Sequence, residues 1–175
     1  MNYYIIIVEG RTDSSLIEAI LNKEFSFKWY EKKSEMPEIF KRMIGQYPVG
    51  GESLRFEGSP TFFHKNQDIG VAVKISSGIK KIPDTIDGLM AVAGDYVDFK
   101  GFIIITDTDI NSHDKIVNDF SKQCNSSGLG LVVSGNKIIN ADGCETDFSL
   151  YNIPQTSYGA VEKLILECVK ISEFI

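Results

Sequence analysis

Three stretches of the chain are apolar on consecutive positions rather than on alternate ones: Asn2–Val8, Ile69–Ile75 and residues 102–105. Short, β-branched and nearly uncharged runs of this kind read as strands covered on both faces, as in the middle of a parallel sheet. Between and after them the period changes. Leu16, Ile17, Ile20 and Leu21 form a helical stripe behind Gly10, with Thr12 or Asp13 available as its cap. Ile86, Leu89, Met90 and Ala93 form another within residues 83–97, and a third helix is expected over 114–124. Strand and helix alternate, which predicts an α/β fold with right-handed crossovers and a parallel sheet.

Residues 25–67 break that rhythm. A short helix over 36–44 is expected to enter through Pro37, and residues 53–57 and 61–65 read as a hairpin around Gly58, Ser59 and Pro60. Phe25, Phe27, Trp29, Tyr30, Phe56, Phe62 and Phe63 interleave with lysines here. Two readings stay open: a surface that stacks a single nucleic-acid strand, or a satellite core. Further on, short strands over 131–134 and 137–139 flank Gly135 and Asn136, a hairpin signal. An acidic loop over 142–147 then leads through Pro154 to a final helix with Val161, Leu164, Ile165 and Cys168 as its stripe.

Composition narrows the classes. The chain has 175 residues, of which 43% are hydrophobic, enough to bury a core in a single domain. No apolar run approaches the ~20 residues of a membrane span, and the first residues lack a signal-peptide pattern, so a cytoplasmic protein without membrane association is expected. Cys124, Cys144 and Cys168 form no CxxC pair, which disfavours a disulfide framework and a zinc site. The net charge of −6 argues against holding nucleic acid by bulk attraction. Its distribution is uneven, however: residues 23–81 hold 11 Lys/Arg against 7 Asp/Glu, or +4, leaving 7 against 17, or −10, elsewhere.

The chemistry gathers at strand ends. Asp107 and Asp109 close the run that begins at Phe102, and side chains two apart on extended backbone point the same way. Two carboxylates at ~4 Å repel by about 4 kcal/mol at an effective dielectric near 20, and hard oxygen donors of this kind suit Mg2+ or Mn2+. Glu9 repeats the arrangement after the first strand, and Asp13 follows four residues later, as a helix cap or a further ligand. Arg11, Lys80 and Lys81 are candidate phosphate contacts, with a solvated surface as the alternative for each. His113 follows the aspartate pair closely, where it would transfer a proton or be incidental.

Val8, Glu9, Gly10, Arg11, Thr12 and Asp13, with the later Thr106, Asp107, Thr108 and Asp109, together resemble the Toprim domain shared by topoisomerases, primases, small ribosomal-RNA maturases and OLD-type nucleases. The resemblance covers about residues 1–135, and the turn at Ser76, Ser77 and Gly78 is similar to the small-residue turn after that family's second strand. It implies a Toprim-like, mostly parallel central sheet flanked by helices, within one domain over 1–175, with an inserted α+β segment at about 25–67 and a C-terminal extension at about 136–175. It also implies Glu9, Asp107 and Asp109 as catalytic metal-site residues holding Mg2+ or Mn2+. Asp13 matches the second acidic position of OLD-type nucleases. Tyr158 to Glu162 resembles the Gly-x-x-Glu helix start of small Toprim-like proteins, which adds Glu162 to the metal candidates.

The expected activity is therefore Mg2+- or Mn2+-dependent phosphodiester hydrolysis of nucleic acid, with a protein partner or homo-oligomer also open. The alternatives are a non-catalytic metal- or nucleotide-binding regulatory module of the same fold, or a phosphoacceptor receiver domain in which Asp107 is phosphorylated and Lys137 supplies the required lysine.

Overall fold

In the computed structural model of the chain, residues 1–45, 51–54, 60–93, 99–107 and 111–153 are described. The chain runs β1 (Asn2–Val8), α1 (Arg11–Lys23), β2 (Lys28–Trp29), α2 (Glu38–Ile44), β3 (Thr61–Lys65), β4 (Ile69–Ile75), α3 (Ile82–Ala93), β5 (Phe99–Asp107), α4 (His113–Ser126), β6 (Val132–Ser134), β7 (Lys137–Ile139) and β8 (Glu145–Ile153). Single 3-10 turns at Lys33–Glu35 and Ile79–Lys81 precede α2 and α3.

The strands form one eight-stranded sheet in the order β2-β3-β4-β1-β5-β8-β7-β6. Its four inner strands, β4, β1, β5 and β8, run parallel to one another. The flanks do not: β2, β3 and β4 pair antiparallel on one side, as do β6, β7 and β8 on the other. The expectation of a mostly parallel sheet thus holds for the inner strands alone. The β3–β4, β6–β7 and β7–β8 connections are short and suit antiparallel pairing, whereas the two-residue β2 reaches β3 only after α2.

The uninterrupted apolar runs are explained by burial on both faces. Ile5 and Ile7 of β1 face a core with Ile39 and Phe40 of α2, Ile82, Ile86, Leu89 and Met90 of α3, and Phe120 and Cys124 of α4. Ile6 and Val8 face a second core with Ile17 and Leu21 of α1 and with Phe27. The crossover from β1 starts on one face with α1, and that from β4 to β5 uses α3 on the other. Opposite faces are what right-handed connections leading to opposite sides of β1 require. At Gly70 of β4 a Cβ would come within 2.8 Å of the Tyr3 ring and 3.2 Å of Phe40. The close approach of those rings, packed edge to face at 5.4 Å, requires glycine there.

Of the residues expected to pair with 61–65, residues 55–57 lie outside the described residues. β3 forms a hairpin with β4 in which Lys65 faces Ile69 and Asn66 adopts φ 52° in the turn, and Ser53 makes an isolated bridge to Lys32. A short Asn-containing turn joins these two strands, each of which buries apolar residues. Two expectations are corrected. The acidic loop over 142–147 gives way at Glu145 to β8, whose alternate residues Thr146, Phe148 and Asn152 are buried. Finally, β5 begins at Phe99 and carries Asp107 inside the strand. The helix of residues 83–97 is seen as Ile82–Ala93, with 94–98 outside the described residues, and the expected final helix lies outside them as well.

Candidate functional site

Because β4, β1, β5 and β8 are parallel, their carboxyl ends share one edge of the sheet. Val8 is in register with Ile75 on one side and Ile105 on the other, and Asp107 is in register with Ile153 of β8. Glu9, the turn after Ile75 and Asp107 are therefore neighbours, at the edge where open α/β sheets bind ligands.

The contacts tie these pieces together. Glu9 Oε1 accepts the backbone N–H of Asp107 at 3.1 Å, linking residues 98 positions apart in the chain. The Ser76 N–H donates to the Val8 carbonyl at 2.9 Å and the Gly78 N–H to the Glu9 carbonyl at 3.2 Å. The buried Ser76 hydroxyl adds a bond to the Val8 carbonyl at 3.1 Å. The turn achieves this through two left-handed residues, Ser77 at φ 64° and Gly78 at φ 114°.

Asp13 is buried, and its Oδ2 accepts the Gly10 N–H at 2.8 Å. Gly10 is thus the N-cap of α1, and Asp13 has a capping role from the third helical position, its side chain bonding the N-cap N–H; neither Thr12 nor Asp13 is itself the N-cap residue. Arg11 is exposed at the first position of α1, and Lys80 and Lys81 are exposed just before α3. All three cations thus follow strands that end at the same edge. Asp109 and Glu162 lie outside the described residues. Among the described residues no group of three or more His, Cys, Asp and Glu side chains is placed to hold a metal ion.

On the α4 side of the same edge lies a polar chain that sequence reading did not find. His113 opens α4, and its Nδ1 is hydrogen-bonded to Asn152 Oδ1 of β8. Asn152 Nδ2 donates to Thr106 Oγ1 of β5 at 2.7 Å, and both Asn152 and Thr106 are buried. The signal was present in the alternation of Glu145–Ile153, which puts Asn152 on the same face as Phe148.

Other candidates move away from the site. Lys137 pairs with Asp147 at 2.9 Å and Glu145 at 3.9 Å. Asp147 precedes by six residues the position facing Asp107, or about 20 Å along a strand. The lysine required by the receiver reading is therefore at the wrong end of β8. The aromatic segment divides: Phe27, Phe62 and Phe63 are core, whereas Phe25 and Trp29 are exposed. Trp29 aligns through Phe63 and Val71 with Tyr4, toward the amino ends of the inner strands and away from Glu9. No described helix is long and apolar enough to cross a membrane.

No protein-family model and no curated protein matches the chain. Among solved structures it is similar to a hypothetical protein from Pyrococcus horikoshii OT3, at 19% identity with a TM-score of 0.63, over 99% of this chain and 68% of that one. At that identity the similarity is one of fold.

Proposed function

We propose that the chain is a Toprim-type phosphodiester hydrolase that acts on nucleic acid and depends on Mg2+ or Mn2+. The observation that carries the reading is the bond from Glu9 Oε1 to the Asp107 N–H, which fixes carboxylates from two adjacent parallel strands at one ligand-binding edge. The donor set is all carboxylate oxygen, which fits a hard divalent ion. Glu9, Asp13, Asp107, Asp109 and Glu162 are the residues that would hold it. Bound there, the ion would supply activation of a water and charge stabilisation at the phosphorus.

The chain's own residues have separate tasks in this reading. Glu9 holds the end of β5 through its bond to the Asp107 N–H and is at the same time one of the carboxylates of the ligand site. Arg11, Lys80 and Lys81 bind the phosphates on either side of the scissile bond and orient it for in-line attack. A second reading is a regulatory module of the same fold that binds metal or nucleotide without turnover. The test is manganese-dependent cleavage of single- and double-stranded DNA and of RNA, comparing the wild type with Asp107→Asn. Cleavage lost in a variant with unchanged circular dichroism supports the hydrolase. Nucleotide binding without consumption supports the module.

A further inference from the structure

We infer that the exposed sheet edge around Trp29 is a stacking platform for single-stranded nucleic acid; this rests on the hydrolase reading above for its class of partner and names the form of substrate. The inference starts from exposure. Three aromatic residues stand among the exposed large hydrophobic side chains of the described residues, and two of them, Phe25 at 53% and Trp29 at 49%, lie four positions apart. Phe27 between them is buried in the core that includes Ile17 and Leu21 of α1, so the segment is anchored from within and open outward.

The Trp29 ring is held in place. It meets the fully buried Phe63 ring edge to face, with centroids 5.5 Å apart and planes at 72°. A ring fixed by a buried neighbour and still half exposed loses little further entropy when a base stacks on it. Phosphate contacts adjoin it. Trp29 is in register with Phe63, and Lys65, two residues further along β3, points to the same face about 7 Å away. Lys65 Nζ stands 5.9 Å from the Phe27 ring centroid, which places its ammonium beside the aromatic row. Residues 23–33 and 61–68 together carry five lysines against Glu24, Glu31 and Asp68, or +2, in a chain whose net charge is −6. This edge complements a polyanion that the chain as a whole repels.

The direction of the edge suits a substrate path. β2 pairs antiparallel with β3, and β3 with β4, so β2 runs the same way as β1. The chain beyond Trp29, with the exposed Lys32, therefore heads toward the carboxyl edge. Trp29 aligns with Tyr4, four residues before Val8, and lies three strands away from β1, which puts it about 20 Å from the end of β1. A strand of several nucleotides spans that interval. A strand of another protein is a poor occupant, because β2 is only two residues long. A duplex keeps its bases stacked on one another, whereas a single strand of DNA or RNA leaves them available to an aromatic side chain.

Trp29 is the single tryptophan of the chain, so its fluorescence reports this surface alone. In EDTA, where no divalent ion supports turnover, oligothymidylate and oligouridylate should each quench it saturably, with an affinity that falls as salt rises. By anisotropy of labelled oligothymidylate, Trp29→Leu should bind about 5–150-fold more weakly, and Trp29→Phe, which keeps an aromatic face, should lose distinctly less. Lys65→Gln should weaken binding and reduce the salt slope by about 0.7. No quenching in the wild type, equal quenching by a hairpin duplex, or unchanged affinity in Trp29→Leu overturns the inference.

With manganese present, Trp29→Leu should raise KM for single-stranded DNA more than it lowers kcat. Cleavage by a wild type whose Trp29 is not quenched overturns the platform and spares the hydrolase reading. Quenching by single strands without cleavage of any substrate overturns the hydrolase reading and leaves the platform standing as a binding surface.

Discussion

Glu9 and Asp107 meet across the carboxyl ends of β1 and β5, the Glu9 carboxylate accepting the Asp107 backbone N–H at 3.1 Å. A hydrogen bond to a charged acceptor contributes about 1.5–3 kcal/mol. Glu9→Ala is accordingly expected to lose stability on that order in urea denaturation, and Glu9→Gln, which keeps an acceptor oxygen, distinctly less. Equal stability of the two variants would mean that the contact contributes nothing to the fold.

Asp13 offers a way to separate structure from ligand binding. Its buried carboxylate accepts the Gly10 N–H at 2.8 Å, and Asp13→Ala should cost ~0.5–2 kcal/mol through the lost cap. Asp13→Asn keeps an acceptor and should retain most of that stability. If Asp13 also binds a cation, the asparagine variant should weaken manganese binding by more than its stability changes. Unchanged manganese affinity would leave Asp13 as a cap alone.

The glycines of the second crossover are expected to respond in opposite directions. Gly78 has φ 114° and ψ 152°, a conformation essentially reserved to glycine, and its N–H holds the Glu9 carbonyl. Gly78→Ala should destabilise by about 1–3 kcal/mol. Gly88 lies on the exposed side of α3, and a Cβ there would meet nothing within 4 Å. Gly88→Ala should stabilise by about 0.5–1 kcal/mol, and thermal melts of the two variants check both signs.

How far the sequence reveals this fold follows from what it can encode locally. β1 and β4 are legible at their full lengths because burial on both faces leaves an unbroken apolar run. β8 is hidden because one of its faces is polar and its first residues are acidic, so Glu145, Thr146 and Asp147 read as loop. With β8 unseen, neither the neighbour of β5 nor the bond from Asn152 to His113 is accessible to sequence reasoning. Glu9 and Asp107 are legible as strand-end carboxylates. Their direct connection depends on β1 and β5 being adjacent, which no local pattern specifies. The choice of partner for Thr61–Lys65 depends likewise on sheet pairing.

Burial also sets a pH dependence. Desolvation pushes the thiol of Cys124 up from 9.0 to about 12, the residue being 1% exposed in the core beneath α4. The folded state keeps this proton where the unfolded chain releases it, so the contribution is intact below pH 9 and declines as pH rises toward 12. Denaturation midpoints should fall over that window, and less so in Cys124→Ala. At neutral pH, iodoacetamide followed by peptide mapping should modify the exposed Cys144 in the native protein and Cys124 only after unfolding.

The central claim, a divalent-cation site built on the strand-end carboxylates, is tested most directly by calorimetric titration of manganese into the purified protein, with Asp107→Asn as the control. The account predicts saturable binding by the wild type that is lost or greatly weakened in the variant while its fold is retained. Absence of binding to the wild type at millimolar manganese, or equal binding by both proteins, would contradict it.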